Sequence, residues 1–293
     1  MKRFILKSIL FLIPIAGILL AMEVYMRSLP NSYSQKNEWM KSHASEVEIL
    51  VLGNSHGLFG IRPDLLGKKA YNLCQVSQTF EYDEYLLRHF EPQLKSLTDV
   101  LLIADNSNLF DLPLEKSEWF RCTYYRLYLD CPKFPLLSKY GFELSNLDAA
   151  RNKWQQGGGR CDSLGWNESY TKSSRTSDYL SDEAVKEAVY RHQCKDWNAA
   201  RENQETLQRI VAWCKARHVR LTLLQSPVSK GYYQQIDRRQ LDFIKKICKN
   251  YNILSIDDSQ NRHFTDDDFY DPDHLNTDGA SKWSKLLKDR VFQ

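Results

Sequence analysis

Apolar residues along this chain fall into runs of two lengths. The short runs, Glu48 to Leu52, Ala70 to Leu73, Val100 to Ala104, Arg220 to Leu224 and Ile253 to Ile256, are of strand length. Between them the apolar positions take helical spacing. Leu207, Ile210, Val211 and Cys214 fall at i, i+3, i+4 and i+7, and Leu241, Ile244, Cys248 and Tyr251 mark a second helix. Glu81 to Phe90 is predicted helical, and Thr277 can cap a last helix running to about Lys288. Strands separated by helices predict an α/β fold with a parallel sheet of about five strands and helices on both faces, because parallel neighbours need crossover connections.

A longer run opens the chain. Lys2, Arg3 and Lys7 precede an uncharged, almost wholly apolar stretch from Ser8 to Met22, and Phe4 to Met22 gives 19 residues. That is close to the ~20 residues a bilayer span requires. No small-residue cleavage site follows, since Leu19-Leu20-Ala21-Met22-Glu23-Val24 is bulky. Residues 1–27 therefore read as a cytoplasmic tip and uncleaved transmembrane signal anchor, ahead of a cleaved signal peptide or a buried soluble helix. The basic flank keeps the N-terminus cytoplasmic and puts the rest periplasmic or extracellular. Residues 28–46 read as a polar stalk without sustained periodicity, and 47–293 as the main domain.

Within that domain, about 111–199 breaks the strand–helix alternation. It is rich in Tyr, Trp, Cys and Pro and is interrupted by Gly157-Gly158-Gly159. A structureless loop of that length is uncommon, so an inserted subdomain or lid is expected after the third strand. Trp119, Tyr124, Tyr125, Tyr128, Trp154 and Trp166 are candidates to line a carbohydrate site or to pack within the insertion.

Composition narrows the function classes. With 293 residues, a net charge of +3 and no long basic block, the chain lacks the electrostatic footprint of a nucleic-acid binder. No pair of its seven cysteines has C-x-x-C spacing. An exported domain favours disulfides, and Cys122 with Cys131 and Cys161 with Cys194 are the pairs expected. Cys214 and Cys248 sit at helical spacing and read as packed thiols.

Two segments carry chemistry. Ser55 follows the first strand between Gly53 and Gly57, where the backbone can turn sharply into the crevice beyond the strand ends. Asp271 lies three residues before His274, close enough to reach back to Nδ1 and leave Nε2 for Ser55. A serine hydroxyl needs an imidazole to take its proton, and the imidazolium needs a carboxylate. Ser55, His274 and Asp271 are thus the candidate catalytic triad. The bland alternatives are a capping serine and an acidic loop with an incidental histidine. A cation site built from Asp266, Asp267, Asp268, Asp271 and Asp273 lacks a full calcium-loop pattern, and no metal or other cofactor is expected. His56 is read either as a substrate contact or as loop packing. His43, His89, His192, His218 and His263 have no partner spacing and are read as structural or exposed.

Gly53-Asn54-Ser55-His56, with Asp271-Pro272-Asp273-His274 and the following Leu275-Asn276 and Gly279, resembles the SGNH (GDSL-like) hydrolase superfamily. The likeness is greatest to its membrane-anchored branch related to alginate O-acetylation and teichoic-acid D-alanylation proteins. It covers roughly 47–110 and 205–290. The resemblance implies a three-layer α/β/α sandwich of SGNH/flavodoxin-like type, with Ser55 as nucleophile, His274 as base and Asp271 as orienter. The implied oxyanion donors are the Ser55 N–H, the N–H of Cys74 at the family's glycine position, and the side chain of Asn106 or Asn108. The activity it implies is an extracytoplasmic O-acyltransferase or O-acetyltransferase. Such an enzyme would work on a cell-envelope glycan, take its acyl group from a donor and act beside a multipass membrane acyltransferase. A carbohydrate esterase or deacetylase, or a non-catalytic scaffold subunit of SGNH fold, are the alternatives.

Overall fold

The computed structural model describes residues 1–132, 141–156 and 159–292. In chain order the helices are α1 (Lys2–Ser28), α2 (Ser32–His43), α3 (Ser55–Gly60), α4 (Phe80–Phe90), α5 (Leu114–Ser117), α6 (Trp119–Leu129), α7 (Leu147–Gln156), α8 (Asp182–Arg191), α9 (Trp197–Ala216), α10 (Lys230–Gln235), α11 (Arg238–Asn250) and α12 (Thr277–Val291). The strands are β1 (Ile49–Leu52), β2 (Ala70–Asn72), β3 (Asp99–Ile103), β4 (Arg220–Gln225) and β5 (Leu254–Asp257). Each strand lies within a residue of the apolar run that predicted it.

All neighbouring strands pair in parallel, in the order β2-β1-β3-β4-β5. The register sets Leu52 opposite Leu102, Ile103 opposite Leu224 and Gln225 opposite Asp257, so the carboxyl ends finish nearly level. Successive strands are added on one side of β1 and then on the other. The order therefore reverses beside β1, where loops diverge and leave a crevice. Ile49, Val51, Leu101 and Ile103 from the sheet pack with Leu58, Trp283 and Leu287 in the core. Trp283 is fully buried, and its indole N–H donates to Asp258 at 2.9 Å, so its one polar atom is satisfied.

The chain divides into two compact units, one of residues 1–37 and 118–160 and one of residues 38–117 and 161–293. The expected insertion at about 111–199 is therefore split. Residues 161–199 belong to the sheet-bearing unit, where the strap after Cys161 runs beside β2. Asn72 N–H donates to the Leu164 carbonyl at 2.9 Å, and the Trp166 indole donates to the Phe59 carbonyl at 2.8 Å. Gly165 has φ +84°, and a Cβ there would stand 2.1 Å from the Asn72 carbonyl oxygen, so only glycine fits. Gly157 and Gly158 lie outside the described residues.

In the other unit, Glu143 and Lys153 form a fully buried ion pair, with Lys153 Nζ 2.9 Å from the Tyr128 hydroxyl. Tyr33 packs against Tyr124 and Tyr125. Of the six aromatics read as lining a carbohydrate site or packing within the insertion, Tyr125 is buried and Trp119 and Trp154 are exposed, whereas Trp166 is buried in the sheet-bearing unit. Helix α1 is long and apolar enough to cross a membrane, and its most apolar window is wholly unburied.

Two further expectations are corrected. The polar stalk contains α2, whose buried positions Tyr33, Lys36 and Met40 share one face, so a buried lysine hides the helical pattern. The seven cysteines are thiols. Cys122 lies within α6 and Cys131 beyond its left-handed cap at Asp130, while Cys161 starts the strap and Cys194 donates its N–H to Gln240 after α8. These placements leave neither expected pair joined.

Candidate active site

Ser55 is the first residue of α3, just past β1. Gly53 makes the turn at φ +124°, and a Cβ there would sit 2.6 Å from the Ile103 Cβ. Its N–H is fixed by Asp83 Oδ1 at 2.9 Å. Asn54 caps α3 by accepting the His56 N–H at 3.1 Å. Ser55 therefore stands at a helix N-terminus with its N–H among the donors a helix leaves open.

The second segment arrives in the loop before α12. Ser55 Oγ lies 2.9 Å from His274 Nε2. His274 Nδ1 lies 2.9 and 3.0 Å from the two oxygens of Asp271. The same carboxylate accepts the His274 backbone N–H at 2.8 Å, which fixes the ring and its tautomer together. Asn276 caps α12 through Asp278 and Gly279 and donates to the Asp267 and Phe269 carbonyls, so the loop that delivers His274 is itself held. A hydroxyl bonded to an imidazole that is bonded to a carboxylate can lose its proton as it attacks a carbonyl.

His56, expected to contact substrate or to pack, is buried and points the other way. Its Nδ1 lies 2.9 Å from Asp105 and 2.6 Å from Ser226 Oγ, and its Nε2 lies 3.5 Å from Asp273. Ser107 and Ser226 both donate to Asp105 at 2.5 Å. Asp273 also accepts from His192 at 3.1 Å and from Arg191 at 3.2 Å. Burial disfavours charge on His56, but the Asp105 charge and the bonds to Asp105 and Asp273 outweigh it and raise its pKa to about 10. His192 rises to about 9, burial being outweighed by Asp111 and Asp273. Asp105 and Asp273 are held well below the usual carboxylate range, since neighbouring imidazoliums and hydrogen bonds overcome their burial.

Sequence reasoning passed over Asp105, Ser226 and Arg191, and it read His192 as structural or exposed. Asp105 and Ser226 were within reach of a positional argument, because each lies at the carboxyl end of a strand, as Ser55 does. Arg191 and His192 carry no such signal. His56 Nε2, His192 Nε2 and Asp273 fall within 4.8 Å of one another, a spacing a divalent cation can use. In the structure Asp273 is contacted by both of these imidazoles and by the Arg191 guanidinium.

Three of the four donors expected for an oxyanion are committed elsewhere. The Cys74 N–H donates to Asn72 Oδ1 at 3.0 Å. Asn106 gives its amide to the His192 carbonyl and the Tyr232 hydroxyl. Asn108 closes the turn after β3 by donating to the Ile103 carbonyl at 2.6 Å. The fourth, the Ser55 N–H, stands at the first position of α3. The Cys74 side chain instead packs behind the nucleophile, where a Cβ on Gly57 would meet its Sγ at 2.5 Å. Beside His274, Tyr170 is stacked between Phe59 and Tyr270 at 3.7 and 3.9 Å and sets its edge toward the imidazole at 5.5 Å.

No family model matches the chain, and no curated protein matches it. Among solved structures it is similar to one described as "The structure of a putative platelet activating factor from Streptococcus pneumonia", at 14% identity and a TM-score of 0.42, covering 97% of this chain and 99% of that one.

Proposed function

We propose that the chain is an SGNH-type serine acyl enzyme with a three-layer α/β/α core, anchored by α1 with its N-terminus cytoplasmic and its sheet-bearing unit outside. One observation carries this reading: Ser55 Oγ stands 2.9 Å from His274 Nε2, with Asp271 behind the ring. In the reaction, His274 takes the Ser55 proton as Oγ attacks an acyl carbonyl. Asp271 stabilises the imidazolium, which then protonates the departing oxygen of the donor and leaves an acyl-Ser55 ester. A sugar hydroxyl next gives its proton to His274 and attacks that ester, so the acyl group passes to a cell-envelope glycan and Ser55 is regenerated. With water as acceptor the same steps make the chain an esterase or deacetylase. Anchoring favours transfer, because it keeps the site near membrane-held donors and growing polymers, beside a multipass acyltransferase as partner.

The commitment of Cys74, Asn106 and Asn108 to structural hydrogen bonds favours a second reading, a non-catalytic scaffold of the same fold. Labelling separates the two. The full chain in detergent is treated with a fluorophosphonate or with p-nitrophenyl acetate, beside Ser55→Ala and His274→Ala. One adduct by intact mass, absent in Ser55→Ala and slowed ~10³-fold or more in His274→Ala, is expected for the enzyme. A folded chain with no adduct would leave the scaffold.

A further inference from the structure

The polar end of α1 is tied to one small part of its own unit. Phe4 to Met22 is 19 residues, or about 28 Å of helix at 1.5 Å per residue, which fills a hydrocarbon core of about 30 Å. Glu23 to Arg27 then fall in the headgroup layer, which adds roughly 5–8 Å on each side. At that level Glu23 accepts the backbone N–H groups of Glu143 and Leu144 at 2.9 and 3.1 Å, and Arg27 donates to the Gly141 carbonyl. The turn at 141–145 therefore shares the depth of the last turn of α1. Phe142, inside that turn, is 51% exposed.

Helix α7 starts two residues later. Leu147 and Trp154 are two turns apart on one face, 74% and 63% exposed, with exposed Arg151 between them. Water is a poor solvent for such a face, and the boundary of a bilayer is a good one. Tryptophan concentrates at headgroup depth, aliphatic chains reach the upper acyl region, and arginine meets lipid phosphate.

We infer that Phe142, Leu147 and Trp154 form a lip that rests in the headgroup layer of the membrane crossed by α1, with lipid as its occupant. The inference rests on the reading of α1 as a membrane span. The lip holds this unit down against the bilayer, so α1 is not a free tether.

The test uses the full chain in nanodiscs of phosphatidylethanolamine and phosphatidylglycerol. The photoreactive residue p-benzoylphenylalanine replaces Phe142, Leu147 or Trp154, and Phe11 and Leu254 serve as controls. Phe11 lies within the apolar run, and Leu254 is an exposed apolar residue at the start of β5. After irradiation, lipid adducts are expected at 142, 147 and 154 at yields near that of position 11 and about tenfold above position 254. Adducts at 11 but not at 147 and 154 overturn the lip alone. Their absence at 11 removes the anchor and the lip together. Equal yield at 254, or crosslinks from 154 to a second protein chain in place of lipid, also overturns it. Quenching of tryptophan fluorescence by brominated-chain lipids, reduced in Trp154→Phe, reads the same contact without a new side chain, and unchanged quenching in that variant counts against it.

Discussion

Each unit buries an ionic cluster, and the two are built differently. In the unit of 1–37 and 118–160, Lys153 and Glu143 form a single pair with Tyr128 as a third member, and Glu143 lends its backbone N–H to the end of α1. In the sheet-bearing unit, Asp273 is a hub shared by His56, His192 and Arg191, while Asp105 is surrounded by His56, Ser107 and Ser226. The pair joins neighbouring elements of one small unit. The hub draws together the ends of β1, β3 and β4, α8 and the last loop, the elements that must meet for Ser55 to face His274. Charge in one cluster fastens, whereas in the other it aligns.

Removing the hub is expected to have the larger effect. Asp273→Asn keeps shape and leaves three cations without their shared carboxylate, so stability should fall by about 3–5 kcal/mol. The Ser55 acylation burst should slow by roughly 10² through misalignment of about an ångström. Chemical denaturation and burst kinetics on one preparation check both, and a normal burst would show that the hub does not align the pair. Lys153→Met strands only Glu143, for which a loss of about 3 kcal/mol is expected. Ser55 reactivity should be unchanged at temperatures where the protein stays folded, and a slowed burst would erase the distinction between the clusters.

A third effect is in pH. The folded pKa values of His56 and His192 lie above the ordinary histidine value of 6.5. Their contribution is complete below about 6.5 and is lost as pH rises through 9 to 10. Asp105 and Asp273 are shifted down, so their contribution is present above the ordinary carboxylate range and is lost as pH falls through it. Melting temperature should therefore plateau between about pH 4 and 6.5 and decline toward pH 10. The alkaline slope should shrink in His56→Gln. An unchanged slope there would assign it to other groups.

Much of the sheet was legible because each strand is an apolar run of strand length between amphipathic helices, and such runs need no long-range information. Asp271 and His274 were legible for the same reason, their coupling being local. Ser55 was placed by the strand that precedes it. The hub was not legible, because His56 meets Asp105 across 49 positions and Asp273 across 217. Three of the four expected oxyanion donors are engaged elsewhere, and motif position does not reveal that Asn108 closes its own turn or that Asn72 already holds the Cys74 N–H. Helix α2 was hidden by the burial of Lys36, which no polarity pattern anticipates.

Ser55 and His56 are neighbours in the chain, as are Asp273 and His274, and the two doublets meet as Ser55 with His274 and His56 with Asp273. This works as a key with two teeth. Sliding the last loop by one residue in one direction would set Leu275 before Ser55 and His274 against the His56 cation; in the other, Asp273 would face Ser55 and Pro272 would face His56. Either slip takes the Asp273 carboxylate from His56 Nε2, while Asp105 still holds Nδ1. A misthreaded loop is thus disfavoured, because His56 Nε2, His192 and Arg191 would all lose the carboxylate they share.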